Sequence, residues 1–119
     1  MSRRPRSRIR WNGDQVLGRA RAGAVRGLLL GAEHLLAESR KEVPIAEGTL
    51  ERSGAATVDE QDLVAGVTYD TPYAARVHED LTARHSPGRK AKFLEDPANR
   101  EAAVIGELIA AQVRRALRG

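Results

Sequence analysis

Two histidines and two acids lie close together in the segment YDTPYAARVHEDLTARH. His78 is followed directly by Glu79 and Asp80, and His85 comes seven residues after His78. Imidazole and carboxylate groups can hold zinc, with Glu79 or Asp80 as a third ligand, and they can transfer protons in catalysis. However, the spacing is not H-E-x-x-H, in which two histidines share one face of a helix. We therefore expect no metal here: His78 should pack or hydrogen-bond beside Tyr73, and Glu79 should be solvated.

Other signals for chemistry are weak. The chain has no cysteine, which excludes disulfides, a thiol nucleophile and thiolate metal ligands. Ser53, Ser86 and His85 do not follow a known order of a catalytic triad. The basic segment SPGRKAK lacks the Walker pattern of a phosphate-binding loop. His34 is expected to be a surface or half-buried histidine. We predict that the protein is not an enzyme and has no cofactor.

The chain has 119 residues, which fit one domain. Its net charge of +4 is unevenly distributed along the sequence. The middle of the chain is acidic and the end is basic. The N-terminal segment is also basic, and such a segment can contact either phosphate or an acidic protein surface. With so few aromatic residues, sequence-specific nucleic-acid binding is not expected, and a small basic nucleic-acid-associated protein is the alternative function. No run approaches the roughly 20 apolar residues of a membrane span, so no membrane partner is expected. The arginines of the start are Arg3, Arg4, Arg6, Arg8 and Arg10.

The order of elements predicts an α+β fold. It consists of a long N-terminal helix, a small antiparallel sheet built on a hairpin, a short helix, a basic loop and a C-terminal helix. Residues 1–13 form a basic arm, and residues 14–119 form a single domain. Asp14 can cap the long helix and Pro44 stops it. The other elements are expected at 50–59 and 63–69 for the hairpin, 73–79 for the short helix, 80–92 for the loop, and 93–119 for a last helix with Pro97 in its first turn.

Apolar residues recur at helical spacing on both long segments, which predicts that the two helices pack against the hairpin. Small residues interrupt the first stripe and indicate close approach by another segment. The predicted buried residues are Leu28, Leu35, Leu36, Val67, Ile105 and Ile109.

Several motifs of residues 15–110 resemble a family of small virion proteins of long-tailed bacteriophages, known as head-tail joining, tail-completion, neck or minor capsid proteins. The shared features are a long first helix that ends near Val-Pro, and then a G-T-L-x-x-S turn. A strand pair follows and reaches V-x-Y-D-x-x-Y-A-x-x-V-H-E, and G-R-x-A-K-F-L-E opens the last helix. The arginine-rich start is not part of the resemblance. Relatives often have Gly-Thr after H-E, where this chain has Asp80 and Leu81.

The resemblance implies a structural subunit of the virion, located between the head portal and the tail and without enzymatic activity. It implies a homo-oligomeric ring, with a hexamer favoured, that contacts neighbouring connector and tail proteins. The basic residues leave non-specific proximity to DNA open as well. Complementary charge suits a contact between two different surfaces of one subunit. The candidate assembly contacts are the five arginines of the arm together with Tyr73, His78, Arg89, Lys90 and Lys92.

Overall fold

The computed structural model describes residues 13–42, 54–71, 74–81 and 92–119. The fold is α+β, as predicted, with a long N-terminal helix, an antiparallel hairpin and a C-terminal helix. The elements, numbered along the chain, are α1 Gly13–Arg40, β1 Ala55–Asp59, β2 Val64–Thr71, β3 Ala74–Asp80, α2 Lys92–Arg100 and α3 Ala102–Arg118.

Helix α1 begins and ends close to the predicted positions. Asp14 lies in its first turn and Arg40 in its last turn. Both charges oppose the partial charge of the helix end that they occupy, which stabilises the helix. The helix ends at Arg40, ahead of Pro44, and the turn Lys41–Glu42 follows.

The sheet has three antiparallel strands in the order β1-β2-β3. The prediction of a short helix at 73–79 is therefore wrong, because residues 74–80 form β3. The helix prediction rested on the local preference of a short alanine-containing segment. In the fold, β3 pairs antiparallel with β2, with Val77 opposite Tyr69 and His78 opposite Thr68. Pairing with an existing strand outweighs so weak a preference.

The connection between β1 and β2 is a four-residue turn, Glu60–Leu63. The carboxylate of Asp59 accepts hydrogen bonds from the backbone N–H groups of Gln61 and Asp62, at 3.0 and 3.2 Å. Leu63 has a φ of 54°, a left-handed conformation that is uncommon for a residue with a side chain. The Asp59 side chain, directly before the turn, thus fixes the conformation of the turn.

The predicted last helix is divided at Glu101 into α2 and α3. It begins at Lys92, so Pro97 lies inside α2 and not in a first turn. Proline has no N–H to donate and therefore removes one hydrogen bond from α2. The backbone N–H of Glu101 still bonds to the carbonyl of Pro97 at 2.8 Å, and that of Ile105 to the carbonyl of Glu101 at 2.9 Å, which links the two helices closely.

The core forms around the second half of α1. Leu28, Leu35, Leu36, Val67 and Ile105 are buried, as predicted, whereas Ile109 is only partly buried. The Tyr69 ring is fully buried, lies edge-on against Phe93 at 5.1 Å between centroids, and its hydroxyl is 2.6 Å from the Ser39 hydroxyl.

Helix α3 packs mainly along α1, and the sheet packs on another side of α1. The prediction that both long helices pack against the hairpin is correct for α1 and for the first part of the predicted last helix, because α2 contacts β3 and its Phe93 lies against Tyr69, whereas α3 packs mainly on α1. Helix α3 packs along α1 because a line of glycines on α1 allows it to approach very closely. A Cβ atom on Gly27 would lie 2.6 Å from the Ile109 Cα, and one on Gly23 would lie 2.7 Å from the Gln112 carbonyl oxygen.

The two helices run antiparallel along this line. Gly31 lies next to Ile105, Gly27 next to Ile109, and Gly23 next to Ala116. The first residues of α1 therefore lie at the same end of the molecule as the last residues of α3.

Candidate functional site

The predicted contact residues fall mostly outside the described part of the chain. His78 lies in β3, opposite Thr68. Lys92 is the first residue of α2. Their roles in assembly stay predictions. The candidates that lie outside the described residues are Arg3, Arg4, Arg6, Arg8, Arg10, Tyr73, Arg89 and Lys90.

A cluster of ionisable side chains joins α1 to the α2–α3 junction. His34 and Glu38 are four residues apart on α1 and therefore lie on the same face of that helix. Glu101 reaches them from the junction, with its Oε1 2.6 Å from His34 Nε2. One ligand atom from each of the three side chains lies within 4.8 Å of the others, and all three side chains are partly buried. This arrangement could hold a divalent cation.

Two cations of the protein already occupy the carboxylates. Lys41 Nζ donates to Glu38 Oε1 at 3.1 Å, and Arg100 lies 3.7 Å from both Glu38 and Glu101 and 3.2 Å from Glu42. The hydrogen bond from Lys41 lowers the pKa of Glu38, and the charges of Lys41, His34 and Arg100 act in the same direction against the smaller opposing effect of desolvation. A metal ion would have to displace these partners. The arrangement therefore fits an ion-pair network that fixes the junction on α1.

Sequence reasoning missed this network; it predicted a surface or half-buried His34, and the His34 side chain is 29% exposed. Glu101 is 67 residues from His34, and no local pattern indicates their contact. The spacing of His34 and Glu38 is the signal that the sequence does contain.

The face of α1 that points away from the sheet carries two arginines, a leucine and one exposed acid, Glu33, which lies seven residues after Arg26. Arg19 and Arg26 are seven residues apart, so they lie on the same face, and Leu30 follows one turn later. Both arginines are exposed, and Leu30 is 39% exposed. Within the described part of the chain, neither arginine forms a salt bridge. We call Arg19, Arg26 and Leu30 the basic flank.

The β1–β2 turn carries exposed acids and lies against the first half of α1, where Glu60 is close to Ala22 and Val25. Arg21, on the sheet-facing side of α1, donates to the backbone carbonyls of Glu60 and Gln61, which leaves the Glu60 carboxylate out of this contact. Glu60 and Asp62 are both exposed. We call Glu60 and Asp62 the acidic turn.

The arginines of α3 lie at the same end of the molecule as the basic flank. Arg115 and Arg118 are exposed in the last turn of α3, close to the first turns of α1. Arg114 is bound to Glu107 at 2.6 Å. The antiparallel pairing of α1 and α3 therefore collects positive charge that is far apart in the sequence.

Comparisons of the chain with protein families, with curated proteins and with solved structures found no match. Among the residues that the structure describes, no helix has the length and apolar character needed to cross a membrane.

Proposed function

We propose that this protein is a structural subunit of the head–tail connector, or neck, of a tailed bacteriophage or phage-like particle, where it acts as a tail-completion or joining protein. Copies of the chain would form a ring, with a hexamer favoured, between the portal and the tail. In this role the protein binds other proteins and catalyses no reaction. It would be located in the virion.

The observation that carries this proposal is the order of motifs in the sequence. A helix ending near Val-Pro, the G-T-L-x-x-S turn, the V-x-Y-D-x-x-Y-A-x-x-V-H-E segment and G-R-x-A-K-F-L-E occur together and in one order. The α+β arrangement is the one that the resemblance implies. It is compatible with the proposal but does not by itself indicate a function, because one fold serves many functions.

The exposed charges add support of a different kind. The basic flank and the acidic turn are separate surfaces of opposite sign on one chain. Complementary surfaces of this kind steer docking and fix register between subunits. Since exposed ion pairs contribute only about 0–1 kcal/mol each, such contacts suit a ring that forms on an assembling particle. We accordingly expect the purified protein to be monomeric or weakly associated, as measured by light scattering at micromolar concentration.

The test is to inactivate the coding gene in the genome that carries it and to image the lysate by electron microscopy. We expect DNA-filled heads and complete tails that are not joined, and joined particles when the gene is supplied from a plasmid. Normal joined particles without the protein would refute the proposal.

The arm and the basic loop can be tested in the same complementation assay. Deletion of residues 2–10, or charge reversal at Arg89 and Lys90, should leave the melting temperature almost unchanged and reduce the number of joined particles. Asp96→Arg, a charge reversal at an exposed position of α2, is the matched control. Full complementation by both variants would show that these segments make no assembly contact.

The basic end of the molecule favours one alternative, a small nucleic-acid-associated protein. Arg19, Arg115 and Arg118 could contact phosphates together with the arginines of the arm. In that case the purified protein binds DNA tightly, and its affinity falls steeply with salt. Weak binding with little salt dependence would exclude this alternative.

A further inference from the structure

We infer that the basic flank of one copy docks on the acidic turn of the next copy, so that the two surfaces form the repeating contact of a ring. This inference rests on the proposed function and specifies its partner: a second copy of this chain. It names which parts of the subunit meet, and it can be tested on purified protein.

The basic flank has the composition of a docking surface. Arg19 and Arg26 project from the same face of α1, and Leu30 continues that face. Leu29, which is also 39% exposed, lies beside Leu30. On this face Leu30 lies between Arg26 and the exposed Glu33. Arginine beside apolar residues is typical of protein interfaces, in which arginine is enriched. Phosphate binding alone gives no reason for the exposed leucines.

The acidic turn is held in a fixed conformation. The Asp59 carboxylate binds two backbone N–H groups of the turn, and Arg21 anchors its carbonyls to α1. The carboxylates of Glu60 and Asp62 form no salt bridge within the described residues. A rigid acidic loop loses little conformational entropy when it binds a basic surface.

The two surfaces point in different directions. Arg21 lies on the side of α1 that carries the core residues Leu28 and Leu35, at the same seven-residue spacing. Arg19 is two residues before Arg21 and so lies about 200° around the helix. Within the described residues, no salt bridge joins the basic flank to the acidic turn of the same chain. Contact between two different surfaces of identical subunits is heterologous, and it closes into a ring when the rotation allows.

Cysteine cross-linking gives a direct test, because the natural chain has no cysteine. One preparation carries Arg26→Cys, a second carries Asp62→Cys, and a third carries Asp96→Cys on α2 as the control. A short bifunctional thiol reagent is added to each preparation alone and to mixtures, at low ionic strength where surface charges are screened least.

We expect the mixture of Arg26→Cys with Asp62→Cys to give a dimer at about tenfold the yield of either variant mixed with the control. A chain with both substitutions should give a ladder of larger oligomers. Two results overturn the inference: cross-linking no greater than in the control mixtures, or efficient cross-linking of Arg26→Cys to itself, which indicates a two-fold contact.

Charge exchange tests whether opposite charge causes the contact. Arg19→Glu with Arg26→Glu reverses the flank, and Glu60→Arg with Asp62→Arg reverses the turn. Each reversed protein alone should show association about tenfold weaker than the natural chain in sedimentation velocity, and a mixture of the two should recover it. Circular dichroism of each variant shows that the fold is retained. Failure of the mixture to recover, with both variants folded, overturns the inference.

The outcome is separable from that of the proposed function. If cross-linking succeeds and the gene is dispensable for joined particles, the contact is real and the phage role is wrong. If particles require the gene and the charge exchange has no effect on association or joining, the role stands and this contact is wrong.

Discussion

The glycine line between α1 and α3 makes a sharp prediction about stability. Substitution Gly27→Ala places a Cβ atom 2.6 Å from the Ile109 Cα and 3.1 Å from its carbonyl oxygen. Carbon atoms in contact prefer a separation of about 3.5–4.0 Å. The obstructing atoms belong to the backbone of α3 and not to a movable side chain, so the helices must separate by roughly 1 Å at this position.

Two opposing effects set the change in the free energy of unfolding of Gly27→Ala. Overpacking of this kind costs about 1–3 kcal/mol, and alanine returns up to about 1 kcal/mol because it favours the helix more than glycine does. We expect the free energy of unfolding to fall by about 1–2 kcal/mol in Gly27→Ala. Urea denaturation measures this loss of stability, with the free energy of unfolding falling at the same slope against urea concentration in both proteins.

The chain provides matched controls. Gly18 and Gly106 are also inside helices, but a Cβ atom at either position would meet nothing within 4 Å. Alanine at these positions should raise the free energy of unfolding by about 0.5–1 kcal/mol, because the helix preference acts alone. A Gly27→Ala protein as stable as Gly18→Ala would show that the helices do not approach as described.

Three further substitutions test the core and the ion-pair network. Leu35→Ala should lower the free energy of unfolding by about 2–5 kcal/mol, since Leu35 is fully buried, and a loss below about 0.5 kcal/mol in a denaturant melt would contradict this. Tyr69→Phe should cost about 1–3 kcal/mol in the same assay, because the buried Ser39 hydroxyl loses its partner; no change would mean that this hydrogen bond is absent. The lowered pKa of Glu38 contributes stability above its unfolded value of 4.5, and this contribution is lost as pH falls through the lowered folded value. Melts between pH 3 and pH 7 should accordingly show a smaller acid-induced loss in Glu38→Gln, and an unchanged profile would contradict the assignment.

The long helix and the core residues could be predicted from the sequence because their signals are local and strong. Leu28 and Leu35 repeat at helical spacing over many turns, and the sheet covers that face. The glycines were correctly interpreted as a sign of close approach. The identity of the approaching segment was not predictable, because any of several elements could fill such a line.

Strand β3 and the ion-pair network could not be predicted for a different reason. Ala74–Asp80 is short, and its conformation is decided by pairing with β2 and not by its own preference. The contact between His34 and Glu101 depends on how α2 turns into α3, which no local pattern specifies. The charges of the basic flank and the acidic turn can be read from the sequence, but the position of the turn against α1 follows only from the fold.

The glycine line also has a consequence for the order in which the chain folds. Helix α1 contains five glycines among its 28 residues, and the four in its interior are each less favourable than alanine by about 1 kcal/mol. Such a helix is marginal on its own in water, and most of its stability must come from packing. One of its packed sides is supplied by α3, which is synthesised after α1. During translation α1 therefore leaves the ribosome before α3 but gains a stable structure only when α3 is present, which couples the two helices into one cooperative unit.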